Sequence, residues 1–132
     1  MANSTAIQLI NDGPRNATVK ITGILDTSNL ALSTFVDLTT LTQGGTQPAP
    51  TRVRIDHIDY SIADQLEIQL YWDATTDVAI LPIAGRGRMS FWSFGGLQDN
   101  SGAGRTGNIL IQTTGWASGT QVFSVLLELV KQ

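Results

Sequence analysis

The chain has no cysteine, one histidine, two lysines and two glutamates, and these scarcities exclude whole classes of chemistry. Without thiols there is no disulfide framework, no thiolate metal site and no cysteine nucleophile, which fits a protein made in a reducing compartment. His57 alone remains for imidazole chemistry. Charged residues make up 14% of the chain, well under the ~25% usual in soluble domains. The net charge of −3 provides no basic field with which to neutralise phosphates, so no nucleic-acid partner is expected. No run approaches the ~20 apolar residues of a membrane helix, and Met1 to Ser4 is not a basic lead into an apolar stretch. Synthesis in the cytoplasm and no membrane partner are therefore expected, and Asn3-Ser4-Thr5 and Asn16-Ala17-Thr18 match the glycosylation sequon by chance.

Valine, isoleucine and threonine supply 35 of the 132 residues. Side chains stiff at χ1 pack well on a pleated face, while the Lys/Glu pairs that clothe exposed helices are missing, so the composition points to strands. Ala17, Val19, Ile21 and Leu25 alternate with polar residues up to an interruption at Gly23, and Leu66, Ile68, Leu70 and Trp72 alternate with Gln65, Glu67, Gln69 and Tyr71. In residues 51–62 the apolar parity changes between Ile55 and Ile58, which requires a bulge or bend near His57 if one face stays buried. Further strands are predicted at Ala6–Ile10, Leu32–Leu38, Val78–Ile83, Met89–Phe94, Asn108–Thr113 and Gln121–Lys131. Pro82 removes a ladder donor, so its strand belongs at an edge or ends there. The last strand is apolar on both faces, so it is central or lies in an interface.

Residues 40–50, 95–107 and 115–120 read as loops, and none divides the chain into two core-sized parts. The expected fold is an all-β antiparallel two-sheet sandwich, jelly-roll-like, with about nine short strands; a partly closed barrel is the rival. Residues 1–12 are an N-terminal arm or first strand, and 13–132 form a single β-sandwich domain.

Several segments mimic functional motifs. Gly102-Ala103-Gly104-Arg105-Thr106-Gly107 satisfies G-x-G-x-x-G, but a strand follows it, where dinucleotide binding needs a helix N-terminus. His57 lies between Asp56 and Asp59, yet there is no nucleophile elbow, and adjacent strand residues point to opposite faces. Asp73 to Asp77 and Asp99 to Gly102 offer oxygen ligands without the spacing of a calcium loop, so turn capping is the expected role. Arg86, Arg88 and Arg105 lie near Phe91, Trp92 and Phe94, a mix that could stack bases, although two lysines make a poor backbone-tracking groove. Trp72, Trp92 and Trp116 could stack on sugars, form core or anchor an interface. No catalytic, cofactor or metal site is expected, and the protein is read as not an enzyme.

The segments N-D-G-P-R-N-A-T-V-K-I-T-G at 11–23, T-R-V-R-I-D-H-I-D-Y at 51–60, F-G-G-L-Q-D-N-S-G-A-G-R-T-G-N-I-L at 94–110 and L-L-E-L-V-K at 126–131 resemble small virion structural proteins of tailed bacteriophages, of the capsid decoration or cement kind. The resemblance implies a β-sandwich that binds the major capsid protein on the capsid exterior, stabilises capsomer junctions by non-covalent contacts, and forms a homotrimer. On that reading the trimer seam is expected on Phe123, Val125 and Leu127 of the two-sided C-terminal strand or on Trp92 and Trp116. Arg86 and Arg88 are further interface candidates. The segment Met1–Asp12 and the 40–50 loop are the expected capsid-facing parts. The alternative is a carbohydrate-binding or tail/head-fibre accessory module.

Overall fold

The computed structural model describes residues 3–12, 15–38, 41 and 52–131. The predicted loop at 40–50, apart from residue 41, lies outside the described residues, as do Met1 and Ala2. Nine strands follow in order: β1 (Ser4–Asp12), β2 (Asn16–Leu25), β3 (Ser33–Val36), β4 (Val53–Ile62), β5 (Glu67–Trp72), β6 (Val78–Ile83), β7 (Arg86–Ser90), β8 (Ile109–Thr114) and β9 (Gln121–Lys131). They form two antiparallel sheets, one ordered β1-β2-β9-β4-β7 and the other β3-β8-β5-β6.

The pairings are nested. β5 and β6 form the innermost hairpin, β4 pairs with β7, β3 with β8 and β2 with β9. A single long hairpin rolled up in this way brings β9 against β4 and β8 against β5, closing two four-stranded sheets. That order is the jelly roll, and β1 is added outside β2 as a fifth strand. Of the two readings for residues 1–12, Ser4–Asp12 is a strand, paired with β2 along its length.

The alternating residues meet between the sheets. Ala17, Val19, Ile21 and Leu25 of β2 and Phe123, Val125, Leu127 and Leu129 of β9 join one core cluster with Ile68, Leu70 and Trp72 of β5 and Ile109 and Ile111 of β8. Gly23 does not interrupt β2. A Cβ there would lie 2.4 Å from the ring of Phe123, so glycine makes room for the aromatic on the neighbouring strand. The expected bulge is present, with the register of β4 against β9 shifting between Ile55 and His57. β9 is central, between β2 and β4, and β6, with Pro82, is an edge strand.

Two expectations change. Phe123, Val125 and Leu127 are 3% exposed or less and belong to the core, so they are not a trimer seam. Each such side chain contributes about 1.5–3 kcal/mol by leaving water, and three together rival the ~5–15 kcal/mol of an entire domain. They cannot be withdrawn from the core to face a partner. The predicted strand Met89–Phe94 is the second case: β7 ends at Ser90, and Trp92–Phe94 form a 3-10 turn instead.

Candidate interaction surfaces

Three surfaces collect the side chains singled out in the sequence and the apolar groups that the fold leaves uncovered. The first is the outer face of the five-stranded sheet. Because Asp56 is the extra residue of the β4 bulge, strict alternation fails there. Asp56 and His57, expected on opposite faces, line one depression of about 380 Å³ with Asn11, Asn16, Arg88 and Glu128. His57 sits across from Ser90, with Nδ1 2.9 Å from Ser90 Oγ and Nε2 3.8 Å from Glu128 Oε2. Arg88 donates to Glu128 Oε2 at 2.9 Å and to Asp59 Oδ2 at 3.2 Å, and Arg54 donates to Asp56 Oδ1 at 3.0 Å.

A serine, a histidine and a carboxylate in one row invite comparison with a nucleophilic triad, and two geometric facts oppose it. The Glu128 oxygen nearest His57 is already engaged by Arg88, and at 3.8 Å it is beyond hydrogen-bond reach of the ring. Ser90 lies in a regular strand, whose amides point within the sheet plane and cannot converge as an oxyanion hole on the face that carries Oγ. The row is a cross-strand polar network. Its exposed ion pairs contribute about 0–1 kcal/mol each and fix side-chain positions on the face. Among the described residues no group of three His, Cys, Asp or Glu side chains is placed to hold a metal ion.

The second surface is the turn after β7. The amide of Phe91 donates to Asp56 O at 2.7 Å, and Leu97 and Ile55 exchange backbone bonds of 2.9 and 2.8 Å, which clamps the turn against β4. Gly96, at φ +80°, passes so close that a Cβ would lie 2.7 Å from Asp56 Oδ1. The chain therefore turns away from the sheet at Phe91, leaving Trp92 62% and Phe94 66% exposed, while Phe91 packs on the core and meets Phe94 edge to face with centroids 6.2 Å apart.

The other tryptophans have different fates. Trp72 is core, and Trp116 is half-buried against it, with its amide donating to Asn29 Oδ1 and its Nε1 to Gly119 O. The three arginines do not converge: Arg88 belongs to the outer-face network, Arg86 lies exposed on β7, and Arg105 approaches buried Asp99 at 3.6 Å. The acidic loops cap turns. Asp77 Oδ1 accepts from the amide of Ala74, Asp73 Oδ2 from Thr106 Oγ1, and Asp99 Oδ1 from the amide and hydroxyl of Ser101. Gly102, Gly104 and Gly107 all adopt positive φ in the turns before β8, and it is this strand that follows them, where a dinucleotide-binding loop needs a helix N-terminus.

The third surface is the β1 edge. Ile7 is 50% exposed, Leu9 41% and Ile10 50%. Ile7 and Leu9 face Ile21 and Val19 in register, which places them on the inner face, beyond the reach of the opposing sheet. With Val19, Thr34, Phe35 and Val36 they line an open groove of about 290 Å³. On the opposite face, Ile24 and Val122 are exposed beside Ser4, Ala6 and Ser124. Sequence reasoning points to residues 1–12 as a contact segment without singling out Ile7 or Leu9; their signal is a strand pattern flanked by no charge. Among the described residues no helix is long and apolar enough to cross a membrane. No known protein family, curated protein or solved structure matches the chain.

Proposed function

We propose that the chain is a virion structural protein, a capsid decoration or cement protein that binds the major capsid protein from outside and acts by contact alone. The observation that carries this reading is the placement of the exposed apolar groups. Trp92 and Phe94 project from a turn that is clamped to β4 at both ends, so a partner meets a rigid aromatic foot and loses little side-chain freedom in binding it. The low charge density suits a subunit that packs against a lattice, and the resemblance of residues 11–23, 51–60 and 94–110 to decoration proteins supports the same class. Many copies bound to one shell let modest single contacts add up through effective concentration. The protein self-associates on this reading, and its seam lies on exposed residues, because Phe123, Val125 and Leu127 are occupied in the core.

The test is co-sedimentation with shells assembled from a major capsid protein of the same source. Trp92→Ala with Phe94→Ala is expected to lose about 30-fold in affinity, the loss of a hot spot worth about 2 kcal/mol, with an unchanged circular dichroism spectrum. Absence of shell binding by the unaltered protein overturns the reading. A second reading rests on the same exposed Trp92, whose ring could stack on a sugar in a carbohydrate-binding or fibre module. Glycan binding that Trp92→Ala abolishes, with no binding to shells, would favour it.

A further inference from the structure

We propose that β1 is a self-pairing edge, along which two copies of the chain join antiparallel across a two-fold axis and merge their five-stranded sheets into one of ten strands. The described strands leave four sheet edges, β1, β7, β3 and β6. An edge strand presents unpaired N–H and C=O groups, and natural proteins block such edges with short length, proline, bulges or charge. β3 has only four residues. β6 carries Pro82, which has no N–H to give, and its pairing with β5 shifts register. β7 has five residues, two of them Arg86 and Arg88. β1 is nine residues long, holds neither charge nor proline from Asn3 to Asn11, and shifts register only beyond Leu9. Among the described edges it alone has a run of six residues, Ser4 to Leu9, free of charge, proline and register shift, with its bulge and Asp12 lying beyond that run, and two of its inner-face side chains are apolar and half exposed.

The occupant follows from matching edges. Against β7, β1 would meet two arginines with a single acidic residue, Asp12 at its far end, to receive them; against β6, a missing donor; against β3, a strand half its length. Against itself, an antiparallel pairing centred on Ile7 sets Ile7 opposite Ile7, Ala6 opposite Gln8 and Thr5 opposite Leu9. No like charges oppose each other, and a β-branched apolar pair sits on the axis. The same operation places Ile7 of each copy beside Ile7 of the other, with Leu9 against the partner's Thr5 and diagonal to its Ile7, next to the open groove lined by Phe35, Val36 and, at its rim, Asp37, and so extends the apolar stripe across the axis. An isologous seam of this kind closes on itself and stops at two copies, in place of the three-fold seam that the resemblance implies. It stands independently of capsid binding.

Size exclusion with light scattering tests it. At about 100 µM the protein is expected to read twice the 14.2 kDa chain mass, and Ile7→Lys, which sets two ammonium groups face to face on the axis, to read a single chain mass. Ile7 is half exposed in the single chain, so the lysine variant is expected to keep the wild-type circular dichroism spectrum. A second measurement uses the absence of native cysteine. Directly opposed antiparallel residues have Cα atoms ~4.5–5.5 Å apart, within the ~4.4–6.8 Å that a disulfide spans, so Ile7→Cys should cross-link under mild oxidation. Trp92→Cys, exposed elsewhere, should not. A wild-type monomer leaves β1 to a strand of another protein and overturns the proposal. So does a trimer, a dimer that survives Ile7→Lys, or equal cross-linking at residues 7 and 92.

Discussion

β1 and β9 pair with the same strand, one on each side of β2, and both carry an inward apolar stripe, yet one stripe is buried and the other is not. On β9 the inward residues Phe123, Val125, Leu127 and Leu129 are all 3% exposed or less; on β1 the inward Ile7 and Leu9 stay at 50% and 41%. The difference comes from the opposing layer. Four strands, β2-β9-β4-β7, lie over the four of β3-β8-β5-β6, and the fifth strand overhangs. An apolar stripe therefore reports which face of a strand turns inward, while the strand's place in the sheet decides whether anything meets it there. On an overhanging strand that stripe is available to a partner.

The comparison breaks most visibly at Leu127, which is fully buried. Leu127→Ala removes three carbons, a methine and two methyl groups, from a packed layer and leaves a cavity, so it is expected to cost about 2–5 kcal/mol and to lower the urea midpoint in proportion. A loss under ~1 kcal/mol would mean that the inner face of β9 is loosely packed and that the contrast with β1 is overstated. Next in size is Val125→Thr, which keeps the shape and buries a hydroxyl in the apolar core cluster to which Val125 belongs. An unpaired hydroxyl taken from water costs about 1–3 kcal/mol in proteins, read by the same denaturation curve.

Much of the fold was legible in the residues themselves. Alternation over Ala17–Leu25 and Leu66–Trp72 marks two core strands, the parity change between Ile55 and Ile58 marks the bulge, and Pro82 marks an edge. The site was far less legible, because periodicity carries no information about cover. β9 is apolar on both faces, so Phe123, Val125 and Leu127 read equally well as a seam or as core until the second sheet is in place. Met89 to Phe94 reads as a strand rich in aromatics, but Gly95 and Gly96, both at positive φ, fold the chain back onto β4 and turn Trp92 outward. The bulge that parity reveals also undoes the inference drawn from it: the extra residue puts Asp56 on the same side as His57. Ile7 and Leu9 escaped notice individually because a half-exposed inward residue has the same sequence pattern as a buried one.

The smallest expected effect sharpens the comparison within a single strand. Val122 lies three positions from Val125, on the outer face of β9, and is 54% exposed. Val122→Thr makes the same chemical change as Val125→Thr, but the new hydroxyl stays in water, so the effect should fall within ~0.5 kcal/mol. The gap between the two variants measures the burial of one face against the other with side-chain shape held constant. If Val122→Thr instead destabilises the protein by as much as Val125→Thr, in a manner that grows with protein concentration, then a second copy covers the outer face beside Ile24 and Ala6. The two chains would then join face to face through the sheet and not along the free edge of β1, and Ile7→Lys would leave the assembly intact.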